Sequence, residues 1–359
     1  MSLVSITATE AIADLSRFDS VIDARSESEF AEDRLPGAVN WPSLSDVERT
    51  AIGTEYKQAS PFEAKKRGAA LVARNIARHV EGEIMAKPRK WMPLVYCWRG
   101  GKRSGALATV LDQIGFRVHM LEGGYREFRR AVVAELDTLP DRFDWRVVCG
   151  PTGSGKSLLL GELARQGAQV LDLEALANHR GSVLGLVPGS EQPSQKHFDT
   201  RVWHALRQLD PARPVFVESE SKKIGDLRVP EALIRRMRSS PCLWLELALV
   251  DRVALLLREY DFFVADAAAF CDRLDALRTL RGNVVVDAWQ ENARAGATAD
   301  VVRDLLETHY DPIYLASMSR NFACLGNRAR TMHWDGSEAG LVDAAKATVA
   351  AFKEASTST

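Results

Sequence analysis

The sequence predicts two α/β domains in tandem, the second ending in a mostly helical C-terminal part. Three observations lead there. Short apolar runs alternate with helical patterns along most of the chain, which argues for mostly parallel sheets covered on both faces. Two of the strand-like runs pass straight into glycine-rich loops that open helices: Cys97-Trp98-Arg99-Gly100-Gly101-Lys102-Arg103-Ser104 and Gly150-Pro151-Thr152-Gly153-Ser154-Gly155-Lys156-Ser157. At 359 residues the chain also exceeds one ordinary core.

In chain order, Ser20-Val21-Ile22-Asp23-Ala24 reads as a short buried strand, and Leu35-Pro36-Gly37-Ala38 as turn chemistry. Residues 61–85 form one long helical pattern: Pro61 suits a first turn, and Ala69, Leu71, Val72, Ile76 and Val80 make a stripe. Pro93-Leu94-Val95-Tyr96 is a strand that ends at Cys97. Residues 104–114 are helical, with Gly115 as a stop. Arg117-Val118-His119-Met120-Leu121 is the next strand, and Gly123-Gly124 turns the chain into another helix. Leu139-Pro140-Asp141 marks a boundary, which gives domains at 1–138 and 145–359. The second begins with strand Arg146-Val147-Val148-Cys149, and residues 157–166 are a helix closed by Gly167. Val170-Leu171 leads to Asp172, and Pro214-Val215-Phe216-Val217 to Glu218. Leu243-Trp244-Leu245 precedes a helical stretch at 251–260.

Composition excludes several classes. Lys plus Arg total 47 against 48 for Asp plus Glu, so no global field draws in nucleic acid and any polyanion must meet local basic patches. Candidates are Lys65/Lys66/Arg67, Lys87/Arg89/Lys90, Arg126/Arg129/Arg130, Lys222/Lys223/Arg228 and Arg235/Arg236/Arg238, each readable singly as a solvated helix face. The five cysteines form no CxxC pair and no zinc-ligand spacing. Cys149, Cys242, Cys271 and Cys324 read as inert small hydrophobes. The N-terminus lacks a basic patch followed by an apolar stretch, and no apolar run of roughly eighteen residues occurs. A soluble cytoplasmic protein with reduced thiols and no membrane partner is expected.

A thiol attacks only as thiolate, which is scarce at neutral pH without help. After Cys97 a helix N-terminus, the close-approach glycines Gly100 and Gly101, and the cations Arg99, Lys102 and Arg103 all favour the anion. The same cradle suits an oxyanion, or a persulfide or perselenide on the sulfur. With Asp23-Ala24-Arg25, Leu35-Pro36-Gly37-Ala38-Val39-Asn40 and Leu121-Glu122-Gly123-Gly124 in this order, the first domain resembles a rhodanese domain. That resemblance implies sulfur or selenium transfer through Cys97. Arg103 also completes a Cys-x5-Arg spacing, so a cysteine phosphatase stays open at this point.

The second loop is a full GxxxxGK[ST] phosphate loop leaving a strand and opening a helix, the context that gives the pattern its meaning and makes the second domain P-loop NTPase-like. Gly150, Gly153, Ser154 and Gly155 shape a backbone cradle, Lys156 would neutralise the terminal phosphate, and Ser157 would offer its hydroxyl to Mg²⁺. Asp172 and Glu218, each at a strand end, are candidates for the metal side; an acidic helix cap or a surface carboxylate is an equal reading of both. A diphosphate ester other than ATP satisfies the loop equally well. His179-Arg180-Gly181-Ser182, Gln192-Pro193-Ser194-Gln195-Lys196 and Glu218-Ser219-Glu220-Ser221-Lys222-Lys223-Ile224-Gly225 are polar stretches expected on loops. His309-Tyr310-Asp311-Pro312-Ile313-Tyr314 reads as packing or an aromatic platform, and Trp98 as a stacking or shielding group.

A rhodanese-like domain ahead of a P-loop domain, with His179-Arg180-Gly181-Ser182, Ser194-Gln195-Lys196, Val217-Glu218-Ser219-Glu220-Ser221 and Tyr310-Asp311-Pro312 in order, resembles the tRNA 2-selenouridine synthase family. The resemblance implies a reaction on 2-thiouridine at the tRNA wobble position. Geranyl diphosphate S-alkylates the thiocarbonyl, and selenium from selenophosphate then replaces the geranylthio group. It implies Cys97 as the selenium-carrying nucleophile, Arg99, Lys102 and Arg103 around selenophosphate, and the phosphate loop for the diphosphate. No tightly bound cofactor is expected, with Mg²⁺ possible through Ser157 and Asp172. The motifs alone also leave open a P-loop nucleotide kinase or NTPase with a regulatory rhodanese module, and an RNA-binding adaptor.

Overall fold

The computed structural model describes residues 3–180, 191–261, 266–322 and 330–356. They form two compact units, Met1–Leu136 with Pro193–His204, and Asp137–Gln192 with Ala205–Thr359. In this division residues 193–204 belong with the first unit. Their side chains explain why. Thr200 Oγ1 donates to Asp33 at 3.0 Å, Trp203 Nε1 donates to Glu135 at 2.8 Å, and Asp199 pairs with Arg129.

The first unit is built on β1 (Val4–Ile6), β2 (Ser20–Asp23), β3 (Ala38–Asn40), β4 (Pro93–Tyr96) and β5 (His119–Leu121), all parallel, in the order β1-β5-β4-β2-β3. Every residue of the central β4 is buried, which explains its unbroken apolar reading. The long helical pattern at 61–85 resolves into helix Pro61–His79 and a π-turn Val80–Ile84. Ahead of it stands a helix that periodicity did not reveal, Asp46–Gln58. It buries no residue, so it has no apolar stripe to read, and the Ser45–Glu48 capping box starts it.

The second unit contains β6 (Trp145–Cys149), β7 (Gln169–Leu171), β8 (Val215–Glu218), β9 (Lys223–Ile224), β10 (Leu227–Arg228), β11 (Cys242–Glu246) and β12 (Arg330–His333). The main sheet is parallel with order β12-β11-β6-β8-β7, and β9 and β10 form a separate antiparallel hairpin. β12 falls in the region read as helical, because none of its residues is fully buried and it offers no apolar run. Helices Leu249–Glu259, Ala267–Asp275, Asn283–Arg294, Asp311–Asn321 and Glu338–Ser356 account for the helical C-terminal part. Among the described residues no helix is long and apolar enough to cross a membrane. In each sheet the strand feeding a glycine-rich loop is central, so each loop sits at the carboxyl end of its sheet, where open α/β sheets bind ligands.

Candidate active site

In the first unit β4 delivers Cys97 into a loop closed by helix Lys102–Ile114. The thiol is buried at 3% exposure, and the Ser104 hydroxyl donates to Sγ at 3.1 Å. Burial pushes the thiol up. The Ser104 hydroxyl and the backbone N–H groups of Ser104, Gly101 and Arg99 outweigh it, so the group titrates below its ordinary value. Main-chain donors and one hydroxyl therefore define the anion cradle. Of the three cations, Arg99 and Lys102 are exposed, and Arg103 is drawn to Glu29 through hydrogen bonds of 2.6 and 3.3 Å.

The Gly123-Gly124 pair, read as a simple turn, is the floor of this cradle. Tyr125 N donates to Cys97 O at 2.8 Å and Arg126 N to Trp98 O at 3.1 Å. Gly124 takes φ +61°, and a Cβ there would overlap Cys97 O; one at Gly100 would come within 2.6 Å of Leu121 O. Beneath lies a buried ion pair, Arg25 to Asp23 at 2.6 Å, with the Arg25 guanidinium 4.0 Å over the Tyr125 ring. Trp98 packs on Tyr125 with ring centroids 5.4 Å apart, so in this structure its ring is a packing group.

In the second unit β6 feeds the phosphate loop, and helix Lys156–Arg165 follows. Gly150, Gly153 and Gly155 all take positive φ, the conformation that turns successive N–H groups inward. Neighbouring side chains brace the loop. Arg252 donates to Thr152 O at 2.9 and 2.7 Å while its guanidinium pairs with Asp311 at 2.6 Å. Trp334 Nε1 donates to Ser154 O at 2.9 Å, and Tyr314 accepts from Gly150 N at 2.9 Å. Lys156 Nζ donates to Gly150 O at 2.8 Å and sits 3.4 Å from Glu218.

The carboxylates against Ser157 are Glu218 at 2.9 Å and Glu174 at 3.1 Å. Asp172, the sequence candidate beside Ser157, instead caps the helix Leu173–Ala177 through Ala175 N at 2.9 Å, although it still lines the cavity. Glu174, Glu218 and Glu220 place carboxylate oxygens within 4.8 Å of one another. Burial, then repulsion from Glu218, pushes Glu174 up to about 8; burial and the same neighbours hold Glu220 well above the usual carboxylate range. Glu174, Arg252 and Trp334 were missed from sequence. Arg252 did carry a signal, a cation set among Val253, Leu255 and Leu256 in an apolar helical stretch. Glu174 and Trp334 had none.

The loop opens into a cavity of about 910 Å³. Its lining combines Lys156, Ser157 and the three glutamates with the apolar side chains Leu255, Leu256, Ile313, Met318 and Phe322 and the Tyr314 ring. His179, Arg180 and Arg238 line it as well. Gly181 and Ser182 of the quoted motif lie outside the described residues, as does Cys324. Cys149, Cys242 and Cys271 are buried free thiols.

A low-titrating thiol in a rhodanese-like unit and a braced phosphate loop over a partly apolar cavity define a group-transfer enzyme with two chemically distinct centres. The family model for the tRNA 2-selenouridine synthase AAA domain matches residues 143–283, and that for the rhodanese-like domain matches residues 7–131. A tRNA 2-selenouridine synthase of Alcanivorax borkumensis is 31% identical over 351 residues, covering 89% of this chain and 93% of that protein. One from Nitrosomonas eutropha is 32% identical, covering 84% of this chain and 88% of that protein. One from Nitrosomonas europaea is 35% identical, and the match spans 67% of this chain and 63% of that protein's length. The chain belongs to the tRNA 2-selenouridine synthase family, as its motif order implied.

Proposed function

We propose that the chain converts 2-thiouridine at the tRNA wobble position to 2-selenouridine through S-geranyl-2-thiouridine. The observation that carries this reading is the second unit's cavity, where the phosphate loop adjoins an apolar wall. A prenyl diphosphate needs both surfaces; a nucleoside triphosphate alone leaves Leu255, Met318 and Phe322 without a role. Family membership likewise favours this reading over a kinase, a phosphatase or an adaptor, and the commitment of Arg103 to Glu29 weighs against the phosphatase. At about 910 Å³ the volume lies at the upper end of ordinary ligand sites, roughly 300–1,000 Å³.

In the first step the thiocarbonyl sulfur forms a bond to C1 of the geranyl group. The C1–O bond breaks with its electron pair leaving on diphosphate, and the N3 proton is lost to water. Loop N–H groups and Lys156 stabilise the charge that develops on the leaving group. The donor set suits Mg²⁺, because three crowded carboxylates, one of them pushed up to about 8, would be relieved by a cation. Ser157, Glu174 and Glu218 would hold it, and its chemistry there is to neutralise diphosphate oxygens. In the second step the C2–S bond breaks and a C2–Se bond forms. Cys97 is the nucleophile of this step: its thiolate adds to C2 and expels geranylthiolate, and the selenium of selenophosphate then displaces the thiolate from C2, with Arg99 and Lys102 beside the incoming oxyanion. Geranylthiolate leaves and takes a proton from water; once selenium is on C2, water attacks phosphorus and the P–Se bond breaks with its electron pair on selenium, releasing phosphate.

Mass spectrometry of nucleosides from thiolated tRNA, incubated with the protein, geranyl diphosphate and selenophosphate, tests the reading. S-geranyl-2-thiouridine followed by 2-selenouridine is expected. Unchanged 2-thiouridine would refute it.

A further inference from the structure

The lining of the second unit's cavity includes cationic and imidazole side chains besides Lys156: Arg238, Arg180 and His179. Arg238, near the end of helix Glu231–Ser239, lines the cavity and is half-buried. Its buried Nε has no hydrogen-bond partner, and among the described residues it makes no ion pair, although Glu174, Glu218 and Glu220 line the same cavity. His179 is 6% exposed, lines the cavity, and leaves Nδ1 without a partner. Beside it Arg180 is held in place by Glu259 O at 2.6 Å and by the Tyr260 ring, 4.9 Å from its guanidinium carbon.

A half-buried guanidinium whose Nε has no acceptor and which has no counterion among the described residues is costly, and a bound anion relieves the cost. The phosphate loop and Lys156 already receive one anion. With selenophosphate assigned to the Cys97 cradle in the first unit, a second anion at this cavity comes from the RNA, where it is a backbone phosphodiester. Resting on the reading above, we propose that Arg238, with His179 and Arg180, forms a subsite for the phosphodiester next to the modified uridine. The contact positions the nucleotide rather than reading its base. Thiouridine would then be held in the same cavity as the prenyl diphosphate, with the neighbouring phosphate as its anchor.

The test uses the full chain and an anticodon stem-loop RNA carrying 2-thiouridine, with affinity measured across salt concentrations. Arg238→Gln is expected to weaken RNA binding about tenfold and to lower the salt slope by about 1, while inorganic pyrophosphate binds as before. Arg238→Lys should recover part of the loss. Replacing single phosphates beside the thiouridine with neutral methylphosphonate should, at one position, weaken wild-type binding equally and have no further effect on Arg238→Gln. Unchanged RNA affinity and slope in Arg238→Gln would overturn the subsite alone. So would an equal loss of pyrophosphate binding, or the absence of any cancelling phosphate. Wild-type protein that fails to bind thiolated RNA sinks the underlying reading as well.

Discussion

At the scale of single residues, Cys97 shows how burial and hydrogen bonding compete. Burial alone would keep the sulfur protonated, yet the Ser104 hydroxyl and three main-chain N–H groups bring its titration below its ordinary value. The sign follows: donors that favour the anion lower the pH at which thiolate appears, and removing one raises it. Ser104→Ala should therefore move the pH profile of Cys97 alkylation by iodoacetamide upward and slow alkylation at neutral pH about tenfold, as expected for losing a bond to a charged acceptor. A profile that stays in place would assign the depression to the backbone alone. Cys97, Lys156 and Ser157 were legible in the sequence because their motifs fix a strand, a turn and a helix start together. Glu174 was not, since an acidic residue in a first helical turn is ordinary, and only the fold sets it against Ser157.

At the scale of elements, both glycine-rich loops depend on partners far away in sequence. Helix Gly124–Leu136 begins against the backbone of the cysteine loop, so the space for Cys97 is set where β5 ends. A methyl at Gly124 would overlap Cys97 O, whereas one at Gly105 meets nothing within 4 Å. Gly124→Ala is expected to reduce Cys97 alkylation at least tenfold while Gly105→Ala leaves it unchanged, a comparison that far-UV circular dichroism keeps honest about folding. Equal reactivity in the two variants would mean that the floor does not shape the cradle. The strands bearing the loops were readable because they are buried on both faces. β12, the Asp46–Gln58 helix and the β9–β10 hairpin were not, being short or solvent-facing and so without apolar periodicity. The segment 193–204 illustrates the same limit: it joins the first unit through Thr200, Trp203 and Asp199, partners that no local pattern announces.

At the scale of the whole molecule, thiol and phosphate loop are built in separate compact units, each with its own sheet and core. The cavity next to Lys156 is lined entirely by residues of the second unit, and Cys97 is not among them. The proposed alkylation of the thiocarbonyl would need a diphosphate receptor beside apolar surface, and the cavity of the second unit is lined by the phosphate loop and by apolar side chains. The proposed exchange of geranylthiolate for selenium would use a nucleophile at C2, and the first unit holds a thiol. If labour is divided this way, the two sites fail at different steps. Cys97→Ala should still form S-geranyl-2-thiouridine yet make no 2-selenouridine. Lys156→Ala should form neither from thiolated tRNA, with geranylation lowered by at least a hundredfold, the scale of losing one preorganised charge at a developing oxyanion. Supplying tRNA already S-geranylated distinguishes the two blocks. It should restore selenouridine to Lys156→Ala, whose thiol is intact, and leave Cys97→Ala inactive, with nucleoside mass spectrometry reading both. Rescue of Cys97→Ala by the geranylated tRNA would take the thiol out of selenium transfer, and failure to rescue Lys156→Ala would make the phosphate loop necessary to both steps.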